Sequence, residues 1–224
     1  MIIFGTNYAG KIEKLGDQSL KTRFFHIFWL PIIPIGGFFI TGVDDEGEEL
    51  GFEAKMNSIS ILSAYIRRYL FFAIFVLSIM IYDNGFKDFI LIGILAACAI
   101  AWIVSMFFLG KLSENHRFDR MLLGLGSGIS ASPSFFKNDV ASKILSGLEE
   151  NWKEREEGKD WHHAFSSKNT DSSNIPLLYS IARYSNTVNE SKESSMYLEQ
   201  AYKWAQQTIP SEELEHYYEA EDEN

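Results

Sequence analysis

Asp160, His162 and His163 are the one cluster in the chain whose residue types suggest metal or acid–base chemistry. Two adjacent residues of a helix point in different directions, and no third ligand stands at a useful spacing, so no metal site is expected there. His26 stands alone among aromatic residues and reads as structural. Cys98 lies in the most apolar stretch; as the sole cysteine it cannot form an intrachain disulfide and behaves as a small hydrophobe. The glycines of Gly124-Leu-Gly126-Ser-Gly128 have the density of a phosphate-cradling loop. No Lys-Ser or Lys-Thr follows and no strand precedes, so a hinge at the end of a helix is expected. No nucleophile, base and orienting group come together by spacing. The residues therefore point away from catalysis, metal and cofactor, although enzymatic activity stays open.

Charge narrows the partners. The 224 residues carry a net charge of −10, and beyond residue 110 there are twelve basic and twenty acidic residues. Nucleic-acid binding draws its affinity from clustered Lys and Arg, so that class is set aside.

The elements that must position any site are dominated by one feature. Residues 89–110 (FILIGILAACAIAWIVSMFFLG) run for 22 residues without a formal charge, which as a helix spans about 33 Å, against roughly 30 Å of hydrocarbon. The preceding run, 69–82, is shorter. Arg67 and Arg68 extend it by placing their guanidinium groups among head groups, so a first span over about 63–82 is expected. Tyr69 and Tyr82 then fall at the two interfaces, with Trp29 as a further interfacial anchor. Asn84-Gly85 in the short link marks a tight turn, which makes the pair an antiparallel hairpin. Lys55, Arg67 and Arg68 before it and Lys111, Arg117 and Arg120 after it, against Lys87 in the turn, place both termini on the cytoplasmic side. Gly93, Ala97, Ala101 and Ser105 recur every four residues, a small-residue stripe for close helix packing, within the hairpin first and by homo-oligomerisation second.

Residues 1–62 alternate short apolar runs with Gly, Asp and Pro, the pattern of a small β-rich unit with strands near 1–4, 24–29, 38–43 and 50–54. The uncharged stretch 24–40 is not a third span, because Pro31 and Pro34 break a helix. It either packs as a β core or lies on the head-group layer. Phe4-Gly5-Thr6, Tyr8-x-Gly10-Lys11, Thr22-Arg23-Phe24-Phe25-His26-Ile27, Leu30-Pro31-x-Ile33-Pro34 and Ser60-Ile61-Leu62 with Arg67 together resemble a group of uncharacterised small membrane proteins. Many of these carry a Cys-rich zinc ribbon between the first strands and the Phe-rich segment. This chain has no cysteine there, so the resemblance implies membrane architecture and no metal, cofactor or site residue.

Residues 111–211 read as a cytoplasmic α-helical region. The helix of the second span is expected to continue past Gly110, and the end near 212–224 is acidic and expected to fray. Ser132 and Pro133 open a helix with Phe136, Val140, Ile144, Leu148 and Trp152 on one face. Two helices follow near 175–186 and 190–209. Ala182, Ser194, Leu198 and Ala201 in them are similar to the packing positions of one tetratricopeptide helix pair. Such a pair cannot bury its own face and needs the preceding helix or a partner. The fold class expected is α+β: a small N-terminal β-rich unit, a two-helix transmembrane hairpin in the lipid bilayer, and cytoplasmic helices. The function expected is non-enzymatic protein interaction from a membrane anchor; the alternative is a membrane-surface enzyme or transport accessory acting through the aromatic N-terminal segment.

Overall fold

The structure, a computed structural model, describes residues 4–84, 87–111, 114–167 and 171–210, with 212, 214, 215 and 218. It is α+β, with four strands in the sequential order β1 (Phe4–Leu15), β2 (Gln18–Ile27), β3 (Leu30–Val43) and β4 (Glu49–Ala54). Among the described residues seven α-helices follow: α1 (Ser58–Asp83), α2 (Phe89–Phe108), α3 (Glu114–Ser127), α4 (Asn138–Arg155), α5 (His162–Ser167), α6 (Ile175–Val188) and α7 (Lys192–Thr208). The antiparallel sheet holds more residues than the apolar runs suggested, because β1 carries Asn7, Lys11, Glu13 and Lys14. Positive φ at Gly10 and Glu13 breaks its alternation. Ala9, Ile12 and Leu15 are its buried side chains, a spacing of three that hides a strand from a period-two reading. Residues 1–3 lie outside the described residues.

The chain divides into two compact units, the first Met1–Lys14, Ser19–Phe38 and Met56–Lys111, the second Leu15–Gln18, Phe39–Lys55 and Leu112–Asn224. In the first, Asn57 caps α1 by accepting from the backbone of Ile59 and Ser60. The helix thus starts at Ser58, ahead of the expected 63. Leu20, Thr22, Phe24 and His26 form the buried face of β2. The ring of Phe24 packs with Ala9 and Ala64. Thr22 donates to Ser60 Oγ at 2.8 Å and Ser60 Oγ to Gly10 O at 2.7 Å, so the buried hydroxyls satisfy one another. A side chain at Gly10 would meet Ser60 O at 2.0 Å, so only glycine allows the helix so close.

α1 and α2 pack on each other. Between them the expected turn at Asn84-Gly85 falls partly outside the described residues. After α2, Leu109 leaves helical geometry and Gly110 has φ +81°. The helix does not continue past Gly110 as expected, since the left-handed residue ends it.

In the second unit α6 is the central element. Every residue from Ile175 to Ala182 is buried, and α3, α4 and α7 pack around it. The pair α6 and α7 is thus covered by the chain's own helices. Gly124 and Gly126 lie inside α3, which runs to Ser127 and ends at Gly128 with φ +73°. No hinge interrupts it at Gly124. A side chain at Gly126 would come within 2.1 Å of Pro176 O, so that glycine permits the close approach of α3 to α6. Ser132 and Pro133 open a short 3₁₀ turn, Pro133–Phe135, and α4 begins only at Asn138. Phe136 is therefore not on α4; it bridges to Ala54 and lies between the rings of Phe39 and Phe52. Ser194 closes a capping box with Ser191 and donates to Asn186 Oδ1 at 2.8 Å, which explains a serine at that position. In the acidic end, Leu214 and Tyr218 are buried, and the Tyr218 hydroxyl donates to Met121 O at 3.2 Å. The other residues of 212–224, apart from 212 and 215, lie outside the described residues, and with them the expected fraying.

Candidate functional site

Asp160, the centre of the most chemical-looking cluster, caps α5. Its Oδ1 accepts from the His162 backbone N–H at 3.0 Å and lies 2.5 Å from His162 Nδ1. The backbone N–H, more than the imidazole, holds its carboxyl below the ordinary carboxylate range. The His162 ring stacks on Trp161, centroids 3.8 Å apart. Among the described residues no group of three or more His, Cys, Asp or Glu is placed to hold a metal. His26 is buried, with Nδ1 3.0 Å from Phe24 O, as a structural histidine would be.

The residues expected at the membrane interface separate into two kinds. Trp29 and Tyr82 stand out from the protein, 53% and 78% exposed, and Arg68 is exposed too. Arg67 is turned inward. Its guanidinium donates to Ser105 O and Leu109 O at the end of α2 and to Lys11 O of β1 at 3.0–3.1 Å. The indole of Trp102 donates back to Arg67 O at 3.1 Å. Tyr69 gives its hydroxyl to Pro31 O at 3.2 Å. Arg67 thus points to backbone carbonyls of its own unit rather than outward as expected, where three oxygen acceptors meet the fork of its guanidinium.

The stripe on α2 also lies elsewhere than expected. Gly93, Ala97 and Ala101 are exposed, Ser105 is buried, and nothing lies within 4 Å of where a Gly93 side chain would begin. The more covered positions of α2 are Leu91, Ile92, Leu95, Cys98, Ala99, Trp102 and Ser105. A tryptophan in that row, its ring 6.3 Å from Phe71, fills the seam that small residues were expected to close.

A cavity of about 330 Å³ in the second unit escaped sequence reasoning. Asp119 of α3, Tyr179 and Arg183 of α6, and Ser195, Leu198, Glu199 and Tyr202 of α7 line it. Tyr179 donates its hydroxyl to Asp119 Oδ1, and Arg183 Nη2 lies 3.5 Å from Asp119 Oδ2. Burial first, then the Asp119 charge, pushes the Tyr179 hydroxyl well above its usual range, so it stays a neutral donor. The Arg183 Nε is buried and has no partner among the described residues. A buried donor without an acceptor costs about 1–3 kcal/mol. Glu199 is bound by Lys203 at 2.6 Å, which leaves the Arg183 donor as the unmet group. A second depression, lined by Glu190, Ser191, Lys192, Ser195, Met196 and Glu199, shares two residues with the first. The signal the sequence carries for the site is Tyr179 and Arg183, four apart on α6.

Known proteins offer no match. No family model, no curated protein and no solved structure is similar to the chain. Function has to be argued from the molecule itself.

Two helices of the first unit, α1 and α2, are long and apolar enough to cross a membrane. Only 11% and 6% of their most apolar stretches are buried. A core helix of a water-soluble domain would be largely covered.

Proposed function

We propose that this is a two-pass membrane protein, both termini cytoplasmic, whose helical unit binds a segment of another protein. The bareness of α1 and α2 carries the anchor: Phe71, Phe75, Ile79, Ile94, Ile103 and Phe107 are exposed on them, and lipid is the solvent that suits such a surface. Exposed Lys55, Arg68 and Lys111 and half-buried Arg117, against Lys87 in the link, support the orientation. Arg120 supports it less than its sequence position suggested, being buried over the Phe39 ring and donating to Ser130 O.

The binding reading rests on the cavity beside Arg183. The half-buried Arg183 guanidinium, one Nη of which faces Asp119, and the rings of Tyr179 and Tyr202 suit a peptide segment that presents a carbonyl or carboxylate oxygen. The fully covered α6 removes the incomplete helix pair as an argument for a partner, so the cavity now supplies it. The test places a photo-crosslinking residue at Met196→Bpa (p-benzoylphenylalanine) in the full chain in its membrane. One defined adduct, lost in Arg183→Ala, is expected, with the protein staying in the pellet through an alkaline carbonate wash. Adducts indifferent to Arg183→Ala would overturn the binding reading, and release by carbonate would overturn the anchor.

A further inference from the structure

The turn between β2 and β3 is built from Phe28 and Trp29, two residues that a water-facing hairpin would not choose. Two-residue turns favour Asn or Gly because they demand positive φ. Phe28 adopts φ +55° without that freedom, at a cost of about 1–2 kcal/mol. The two rings meet edge to face at 6.1 Å and both are half exposed. Behind them Ile32 and Ile33 are exposed as well. Successive residues of a strand face opposite sides, so the tip shows apolar surface on both faces. No formal charge occurs between Phe24 and Ile40.

This tip is fastened to α1. Tyr65 donates to Ile32 O at 2.8 Å and Tyr69 to Pro31 O at 3.2 Å. α1 has 26 residues, about 39 Å, so the two tyrosines lie about 10 and 16 Å from its start. If the far end of α1 marks the far side of a hydrocarbon layer about 30 Å thick, those levels fall within its first 10 Å. That is the depth at which amphipathic surface elements settle and where tryptophan is favoured.

From this geometry we infer that the β2–β3 tip is a third membrane contact, a non-spanning wedge that sets Phe28, Trp29 and Ile33 into the head-group and upper acyl region of the leaflet. The partner is lipid because the tip continues the bare surface of α1 through the two tyrosine bonds, within one compact unit. The inference rests on the anchor proposed above and adds a contact that the hairpin alone does not require. It also accounts for the strained phenylalanine, since a glycine there would remove apolar surface from the bilayer.

The test uses the full chain with Cys98→Ala in lipid nanodiscs of phosphatidylcholine and phosphatidylglycerol, where both faces meet buffer. An environment-sensitive fluorophore is attached in turn to Trp29→Cys, Ile33→Cys, Phe75→Cys and Asp45→Cys. Quenching by aqueous iodide is compared with quenching by lipids carrying a spin label near the head group. The expected result is that residues 29 and 33 are quenched by the spin-labelled lipid and shielded from iodide several-fold relative to residue 45. Residues 29 and 33 as open to iodide as residue 45, with residue 75 shielded, would overturn the wedge and keep the anchor. Iodide reaching residue 75 would overturn the anchor itself. Shielding of residues 29 and 33 from both quenchers would mean that protein covers the tip, and would overturn the wedge as well.

Discussion

The two compact units treat apolar surface in opposite ways. In the second, Val43, Leu50, Leu125 and Met196 are the large hydrophobic residues left exposed among those described, while residues 175–182 of α6 are buried throughout. In the first, exposed Phe, Ile, Val, Met and Leu line both long helices and the tip of the β2–β3 hairpin. Both units also bury polar groups: Thr22, Ser60 and Ser105 in the first, with Arg67 turned inward, and Arg120, Ser130 and Ser180 in the second. On the membrane anchoring proposed above, one chain folds against two solvents, and burial means something different in each.

The largest effect should come from truncating a matched pair of side chains. Leu178→Ala, on fully buried α6, should cost about 3 kcal/mol, whereas Phe75→Ala, outward on α1, should change unfolding in detergent by less than about 0.5 kcal/mol. Denaturant midpoints of the two variants measure the difference; equal losses would erase the contrast between the units.

A smaller effect should mark the polar interior of the first unit. Arg67→Gln removes a charged donor from three carbonyls and should lower stability in detergent by about 2 kcal/mol, discounted for the partial exposure of the site. Arg67→Lys should recover part of the loss, because one ammonium cannot reach all three acceptors as the planar fork does. A variant as stable as the parent would mean that Arg67 serves the head groups after all.

The smallest effect concerns α5. Asp160 is held below the usual carboxylate range by the His162 backbone N–H. Its contribution is therefore complete above an unfolded-state pKa of about 4, and it is lost as pH falls through the lower folded value. Asp160→Ala should cost about 0.5 kcal/mol at neutral pH, after allowance for solvent screening at this exposed site. The gap between parent and variant midpoints should be constant from pH 8 to about 5 and close under stronger acid. A gap that widened on acidification would reverse the assignment.

What the sequence made legible and what it hid follow the same division. The two long helices could be read because the absence of charge over 89–110 is a solvation property that needs no knowledge of neighbours. The α6 and α7 helices were legible from apolar periodicity within a few residues at each end. The strand β1 was not, since Gly10 and Glu13 disturb its alternation and its interior carries lysine and glutamate. Gly124 and Gly126 suggested an ending because the atoms that need their smallness, on Tyr218 and Pro176, lie far along the chain. The cavity was hidden for the same reason, with Tyr179 and Asp119 sixty residues apart. Arg67 was expected to point outward and points inward, because its acceptors are backbone atoms, which no side-chain pattern announces.

Those acceptors also order events in time. Lys11 O lies 56 residues upstream of Arg67, while Ser105 O and Leu109 O lie 38 and 42 residues downstream. As the chain leaves the ribosome, the first helix therefore exists for some forty residues of synthesis with its cation lacking two of its three final acceptors. On the proposed membrane anchoring, the finished hairpin is a better lipid-soluble object than its first half, and delivery of the second helix completes the solvation of the first.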